Sequence, residues 1–218
     1  KANDYFLSLT AKDLTNQANY DAVASEMDIE EFTELVCTEV YSGNSSIGHN
    51  LMKWKPKDSG KWKWVLMDFD RGFFGVNSQL IDFYVNEDGW PFKDLMRNQD
   101  FKKQFGKKLA DLLFTTFNPD RMIARIENHK KTIKAEMPNH VNRWKGTSGT
   151  GNYSGIKAIP SVDYWLSEVE KMKTFAKARP GVILNDLIKY GFENPVPVTV
   201  STYPVNSGDL TFNGLKIP

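Results

Sequence analysis

Hydrophobic and polar residues repeat along this chain with two periods, and the switch between them marks its most informative segment. Residues 1–27 carry two short apolar stripes at helical spacing, Tyr5, Phe6 and Leu9 on the first and Tyr20, Val23 and Met27 on the second, which predicts two short amphipathic helices. Asp28 with Glu31 three residues later is a capping-box-like start for a helix through about Tyr41, with Ile29, Phe32, Val36 and Val40 on its inner stripe. Beyond Lys61 the pattern alternates charged and large apolar side chains (Lys61, Trp62, Lys63, Trp64, Val65, Leu66, Met67), as a half-buried strand does. Asp58-Ser59-Gly60 is a turn signal and Asn50 to Lys55 a partner strand, so residues 50–67 are predicted to form a β-hairpin.

Helical spacing returns afterwards. Val76 to Tyr84 fits neither period cleanly, and Asn86-Glu87-Asp88-Gly89 marks a turn before Trp90 and Pro91. Asp100 is the expected cap of a long helix carrying Phe101, Phe105, Leu109, Leu112, Leu113 and Phe117. Asn118-Pro119 stops that helix and starts the next, with Met122, Ile123, Ile126 and Ile133 inward and Lys130, Lys131 and Lys134 solvated. Gly146 to Gly155 is a Gly/Ser/Thr-rich surface loop; it lacks the preceding strand and following helix that a phosphate cradle needs. Ser161 caps a helix with Tyr164, Trp165, Val169, Met172 and Phe175 inward, and Arg179-Pro180 is expected to begin a last helix through about Tyr190. From Asn194 the chain turns extended and β-branched (Pro195-Val196-Pro197-Val198-Thr199-Val200-Ser201), and Ser207-Gly208 and Asn213-Gly214 flank a second short strand. The expected fold is therefore mainly α (α+β): residues 1–193 form one domain, and residues 194–218 are the start of a separate β-rich domain or a linker.

Composition narrows the function without naming it. At 218 residues, 40% hydrophobic and 13% aromatic, the chain has material for one good core. A net charge of +1 argues against a general nucleic-acid or membrane-surface role, and no run approaches the roughly 18 apolar residues of a spanning helix. The single cysteine, Cys37, lies on an apolar helix face, where it reads as a small buried hydrophobe, and it excludes an internal disulfide. His129 and His140 have no His, Cys or carboxylate neighbour at ligand spacing.

The candidate chemistry lies at the hairpin's open end. Asp68-Phe69-Asp70-Arg71-Gly72 follows the second strand, and on a strand Asp68 and Asp70 point to the same face. Two adjacent carboxylates repel unless a cation lies between them. One reading is a Mg²⁺ site at the edge of a cleft; the other is a solvated turn in which Asp70 pairs with Arg71 or a lysine. Asn50, at the start of the first strand, is brought close to Asp68 by antiparallel pairing. An amide oxygen facing an aspartate is how protein kinases hold Mg²⁺.

These residues resemble the CotH family, the spore-coat protein H type of atypical secreted kinases. The resemblance runs through Asp28-Ile29-Glu30-Glu31-Phe32, Gly43-Asn44, His49-Asn50, Trp62-Lys63-Trp64 and the Asp68-Phe69-Asp70 turn with Phe74 and Gly75. It continues to Phe175, Arg179-Pro180, Leu184, Leu187 and Phe192, touching roughly residues 20–192. It implies a kinase-like C-terminal lobe and phosphoryl transfer from ATP with Mg²⁺ or Mn²⁺ to a secreted or surface protein. In that comparison Asn50, Asp68 and Asp70 are metal ligands, and Arg71 lies with them at the nucleotide.

One position departs from the family pattern. Ser46 stands where the family carries the loop Asp expected to accept the proton of the attacking hydroxyl, and losing general-base help costs on the order of 10²–10⁴ in rate. His49 is the nearby titratable alternative; it serves either as that base or as a residue ordering the loop. No Gly-x-Gly-x-x-Gly, Walker-type sequence or apolar-flanked strand lysine precedes residue 28. Lys1 is not an initiator methionine, so the expectation is a fragment whose nucleotide-gripping lobe lies upstream, in a protein at the cell surface or outside. A non-catalytic surface module that keeps the fold is the alternative.

Overall fold

The computed structural model describes residues 2–44, 50, 52–57, 60–86, 90–149, 157–194, 196, 198–204, 207–212 and 215–216. The chain opens with α1 (Ala2–Thr10) and α2 (Gln17–Glu26), the second capped by Asn16, whose side chain accepts from the Ala18 and Asn19 amides. Helix α3 (Ile29–Ser42) starts at Asp28, which accepts from the Glu31 amide at 3.1 Å. That is half of the expected capping box. Glu31 does not reach back; its carboxylate instead meets Lys63 at 3.1 Å.

The predicted hairpin is present. Strands β1 (Met52–Trp54) and β2 (Lys63–Val65) pair antiparallel, with Met52 opposite Val65, Lys53 opposite Trp64 and Trp54 opposite Lys63. They are shorter than the predicted 50–67 because Trp62 spends its backbone elsewhere: its amide donates to Glu26 O at 2.7 Å and its carbonyl accepts from Asp28 N at 2.9 Å. These bonds stitch the hairpin onto the α2–α3 junction, and Lys63 reinforces them with a 3.1 Å pair to Asp28. Trp64 is buried against Phe32, with ring centres 4.8 Å apart, whereas Met52, Trp54 and Val65 are exposed on the other face.

Helices α4 (Leu80–Asn86), α5 (Pro91–Leu95) and α6 (Gln99–Phe114) follow. The cap of α6 is Asn98, not Asp100. Asn98 Oδ1 accepts from the Asp100 and Phe101 amides at 3.0 and 3.1 Å, while its Nδ2 donates to Leu14 O at 3.0 Å. A carboxylate could make only the first two bonds; the amide also ties α6 to the α1–α2 connection.

Helices α7 (Pro119–Ile133, capped by Asn118), α8 (Met137–Trp144) and α9 (Val162–Lys189, capped by Ser161) complete the helical body. Arg179-Pro180 does not open a new helix: α9 runs through it for 28 residues. An internal proline costs one hydrogen bond and roughly 3 kcal/mol. The continuity is explained by burial on both sides of it, with Phe175, Ala176 and Arg179 before and Ile183 and Leu187 after on one inward stripe. Tyr164, Met172 and Ile133, expected inside, are exposed. The C-terminal strands are Thr211–Phe212 and Leu215–Lys216, paired antiparallel, while residues 198–202 form no ladder.

Two apolar clusters result. The larger joins α1 to α6, Trp64 and the C-terminal half of α9, so Trp64 and the Phe101–Phe117 stripe share one core, with Trp62 packed on its edge. The smaller joins Ile126 of α7, Met137 and Val141 of α8, and Trp165 and Val169 of α9. Among the described residues no helix is long and apolar enough to cross a membrane.

Candidate functional site

Three segments converge at the C-terminal end of α3: the end of the helix itself, Asn50 at the mouth of the hairpin, and the turn after β2. Asn50 and Asp68 meet as antiparallel pairing requires, with Asn50 Nδ2 donating to Asp68 Oδ2 at 2.7 Å across 18 residues of sequence. The expectation that Asp68 and Asp70 share a strand face is corrected. The strand ends at Val65, Asp68 adopts a left-handed conformation (φ 52°, ψ 57°), and Asp70 lies in a 3₁₀ turn, Phe69–Arg71. A non-glycine residue held at positive φ is uncommon, and such strain clusters at functional sites. Asp68, Asp70 and Arg71 are all exposed, and Asn50 is buried. Ser46 and His49 lie outside the described residues.

The donors fit a hard divalent cation in a limited way. Asn50, Asp68 and Asp70 offer only oxygen ligands, the set Mg²⁺ and Mn²⁺ prefer, but Asn50 turns its nitrogen towards Asp68, so sharing an ion requires the amide to turn over. Among the described residues no group of three or more His, Cys, Asp or Glu side chains could hold a metal. Among the described residues the site therefore offers few ligands. Mg²⁺ sites completed by phosphate and water have that character.

What fixes this site is Arg179, which the sequence offered only as part of an Arg-Pro pair. It is 1% exposed, and its guanidinium donates to four backbone carbonyls: Tyr41 O at 2.9 Å, Val40 O at 2.5 Å, Val76 O at 2.5 Å and Ser78 O at 2.7 Å. The last four carbonyls of α3 are consequently all satisfied, since Glu39 O accepts from Gly43 N and Ser42 O from Phe73 N at 2.7 Å. A cation at a helix C-terminus also opposes the helix dipole favourably. One side chain thus clamps the helix that feeds the loop to the segment that follows the Asp-containing turn. Burial pushes the guanidinium down to about 10, and Asp186 holds it up against that.

Close approach of backbone makes the clamp possible. Gly43 has φ +65°, and a Cβ there would lie 3.1 Å from Gly75 O; one on Gly72 would lie 3.3 Å from Ser42 Cβ. Beneath them Glu39, 1% exposed, is a second residue that sequence reading missed. Burial pushes its carboxyl up to about 7, against a hydrogen bond from the Asn44 side chain that favours the ionised form. Its position next to Val40 and three residues after Val36 was the available signal: the inner stripe of α3 includes it. Cys37 is buried, which raises its thiol far above the ordinary range and leaves it unreactive.

On the Asp70 side of the turn an open groove of roughly 990 Å³ runs towards α9, with Phe69, Phe74, Tyr164, Met172 and Phe175 along it. Phe74 is 80% exposed, which explains why Tyr164 and Met172 also stay in reach of solvent: they face this groove, not a core.

No curated protein and no solved structure matches the chain. The chain belongs to the CotH kinase protein family, whose model matches residues 2–183 and so spans both the Asn50–Asp68 pair and the Arg179 clamp.

Proposed function

We propose that this domain takes part in Mg²⁺- or Mn²⁺-dependent phosphoryl transfer from ATP to a protein hydroxyl, at the cell surface or outside the cell. The observation that carries this is the 2.7 Å contact between Asn50 and Asp68 at the mouth of the hairpin, in a chain of the CotH kinase family. Asp68 and Asn50 hold the cation, Asp70 assists from the 3₁₀ turn, and Arg71 faces the phosphates. A cation bound there neutralises phosphate oxygens as the acceptor attacks. The groove beside Asp70 receives the acceptor segment, with Phe74 and Tyr164 against its apolar side chains.

A second reading has specific support in Ser46. A serine hydroxyl is a far weaker base than the aspartate found there in the family, so the domain is either a slow kinase, with His49 substituting, or a non-catalytic surface module that keeps the fold. Mn²⁺ titration with ATP present tests the site, and Asp68→Ala is expected to weaken binding at least about tenfold. Binding indifferent to that change ends the metal assignment. If transfer of the γ-phosphate is measurable, Ser46→Asp should accelerate it. A protein that binds no nucleotide supports the module.

A further inference from the structure

A second cavity, of roughly 160 Å³, lies on the inner face of the hairpin, and none of Asn50, Asp68 and Asp70 lines it. Its walls are Phe6, Leu7 and Thr10 from α1, Trp64 from β2, and Trp90 and Pro91 at the start of α5, with Lys53 of β1 among them. Lys53 differs from its neighbours on the hairpin: Lys55 and Lys63 each have a carboxylate within 3.1 Å. Among the described residues no carboxylate lies within ion-pair distance of Lys53. Its Nζ lies instead 5.0 Å from the centre of the Phe6 ring and 5.4 Å from that of Trp62. Burial pushes its ammonium below the ordinary lysine range, with no opposing charge to restore it. Ring faces compensate a cation only in part.

Trp90 forms a wall of the cavity, but its indole N–H is turned away from the open space. It is 4% exposed, and its indole N–H is buried without any acceptor. The cavity thus sets the Lys53 ammonium, and the Thr10 hydroxyl that donates to Leu7 O at 3.1 Å, against aromatic and aliphatic walls, with no carboxylate partner for the ammonium among the described residues. A water molecule brings donors of its own; a carboxylate brings only acceptors. A phosphate dianion calls for more donors than one ammonium supplies. Size decides the rest, since an apolar cavity of about 150 Å³ accommodates benzene.

We infer that this cavity binds a small carboxylate carried on an aromatic or branched apolar body, with the charged group on Lys53 and the body between Phe6, Trp64 and Trp90. Such a site is separate from the hairpin mouth, and its occupation stabilises the packing of α1 against the hairpin.

Benzoate is the probe. It should raise the melting temperature of the wild-type protein in a concentration-dependent way and shift the Trp90 indole N–H resonance, assigned by its loss in Trp90→Phe. Lys53→Met keeps the apolar stem and should weaken benzoate at least about tenfold. Benzamide, of the same shape without charge, should bind the wild type more weakly by a similar factor, a comparison that needs no variant to fold. Asp68→Ala should leave benzoate binding unchanged, which separates this site from the metal assignment. Equal binding of benzoate to wild type and Lys53→Met, equal binding of benzoate and benzamide, or no benzoate binding at about 10 mM would each overturn the inference.

Discussion

Arg179 and Lys53 are both cations drawn at least partly out of water, Arg179 fully buried and Lys53 half-buried, and the protein treats them in opposite ways. Arg179 meets four backbone carbonyls at 2.5–2.9 Å, so its removal from solvent is compensated bond by bond. Lys53 meets two ring faces and no anion among the described residues. The first arrangement is finished, and it fixes geometry: α3 and the segment after the Asp-containing turn are held in one register. The second is incomplete. A half-buried ammonium that the fold leaves without an anion is where a carboxylate gains, because the bond it makes displaces only water.

The largest effect that distinguishes the two is expected at Arg179. Arg179→Met leaves the Val40, Tyr41, Val76 and Ser78 carbonyls unpaired at once and should cost about 3–5 kcal/mol in urea unfolding. Arg179→Lys should recover only part of this, because one ammonium cannot span both segments. A loss below about 1 kcal/mol would show that the clamp is dispensable and remove the contrast.

Glu39, under the same helix end, gives a smaller effect that depends on pH. Its carboxyl is pushed up from 4.5 to about 7, so the folded state keeps a proton that the unfolded chain releases. The stabilisation is therefore complete below about pH 4.5 and is lost as pH rises through 7, by up to about 3 kcal/mol. Glu39→Gln should flatten that part of the profile, and comparing urea midpoints of the two proteins at pH 5 and pH 8 measures it. Identical profiles would place Glu39 in better contact with water than its burial implies.

The smallest change in stability belongs to Lys53. With no ion pair to lose, Lys53→Met should be neutral or stabilising by about 1 kcal/mol, the reverse in sign of Arg179→Met. A loss of more than about 2 kcal/mol would mean that Lys53 is a structural cation after all.

Much of the local structure was legible because it depends on neighbours in sequence. The Asp28 start of α3, the Trp62–Lys63–Trp64 strand and the closeness of Asn50 to Asp68 follow from capping, alternation and antiparallel pairing, each of which acts within about 20 residues. The failures share a cause. Asp100 is a sound cap by composition, yet Asn98 serves because Leu14, 84 residues away, offers a carbonyl to its amide. Pro180 is a sound helix start, yet packing on both sides carries α9 across it. Asp68 and Asp70 were placed on one face because a strand was assumed to reach them; it ends at Val65, and Asp68 turns left-handed into the Phe69–Arg71 3₁₀ turn.

The sequence by itself determined helices α1–α3, α6, α7 and the start of α9, where the hairpin lies, and that an amide and a carboxylate meet at its mouth, because periodicity and pairing are local. Tertiary structure alone decided what Arg179, Lys53 and Glu39 do. A charged side chain takes its role from whatever faces it once buried, and for Arg179 that is a set of carbonyls more than 100 residues away.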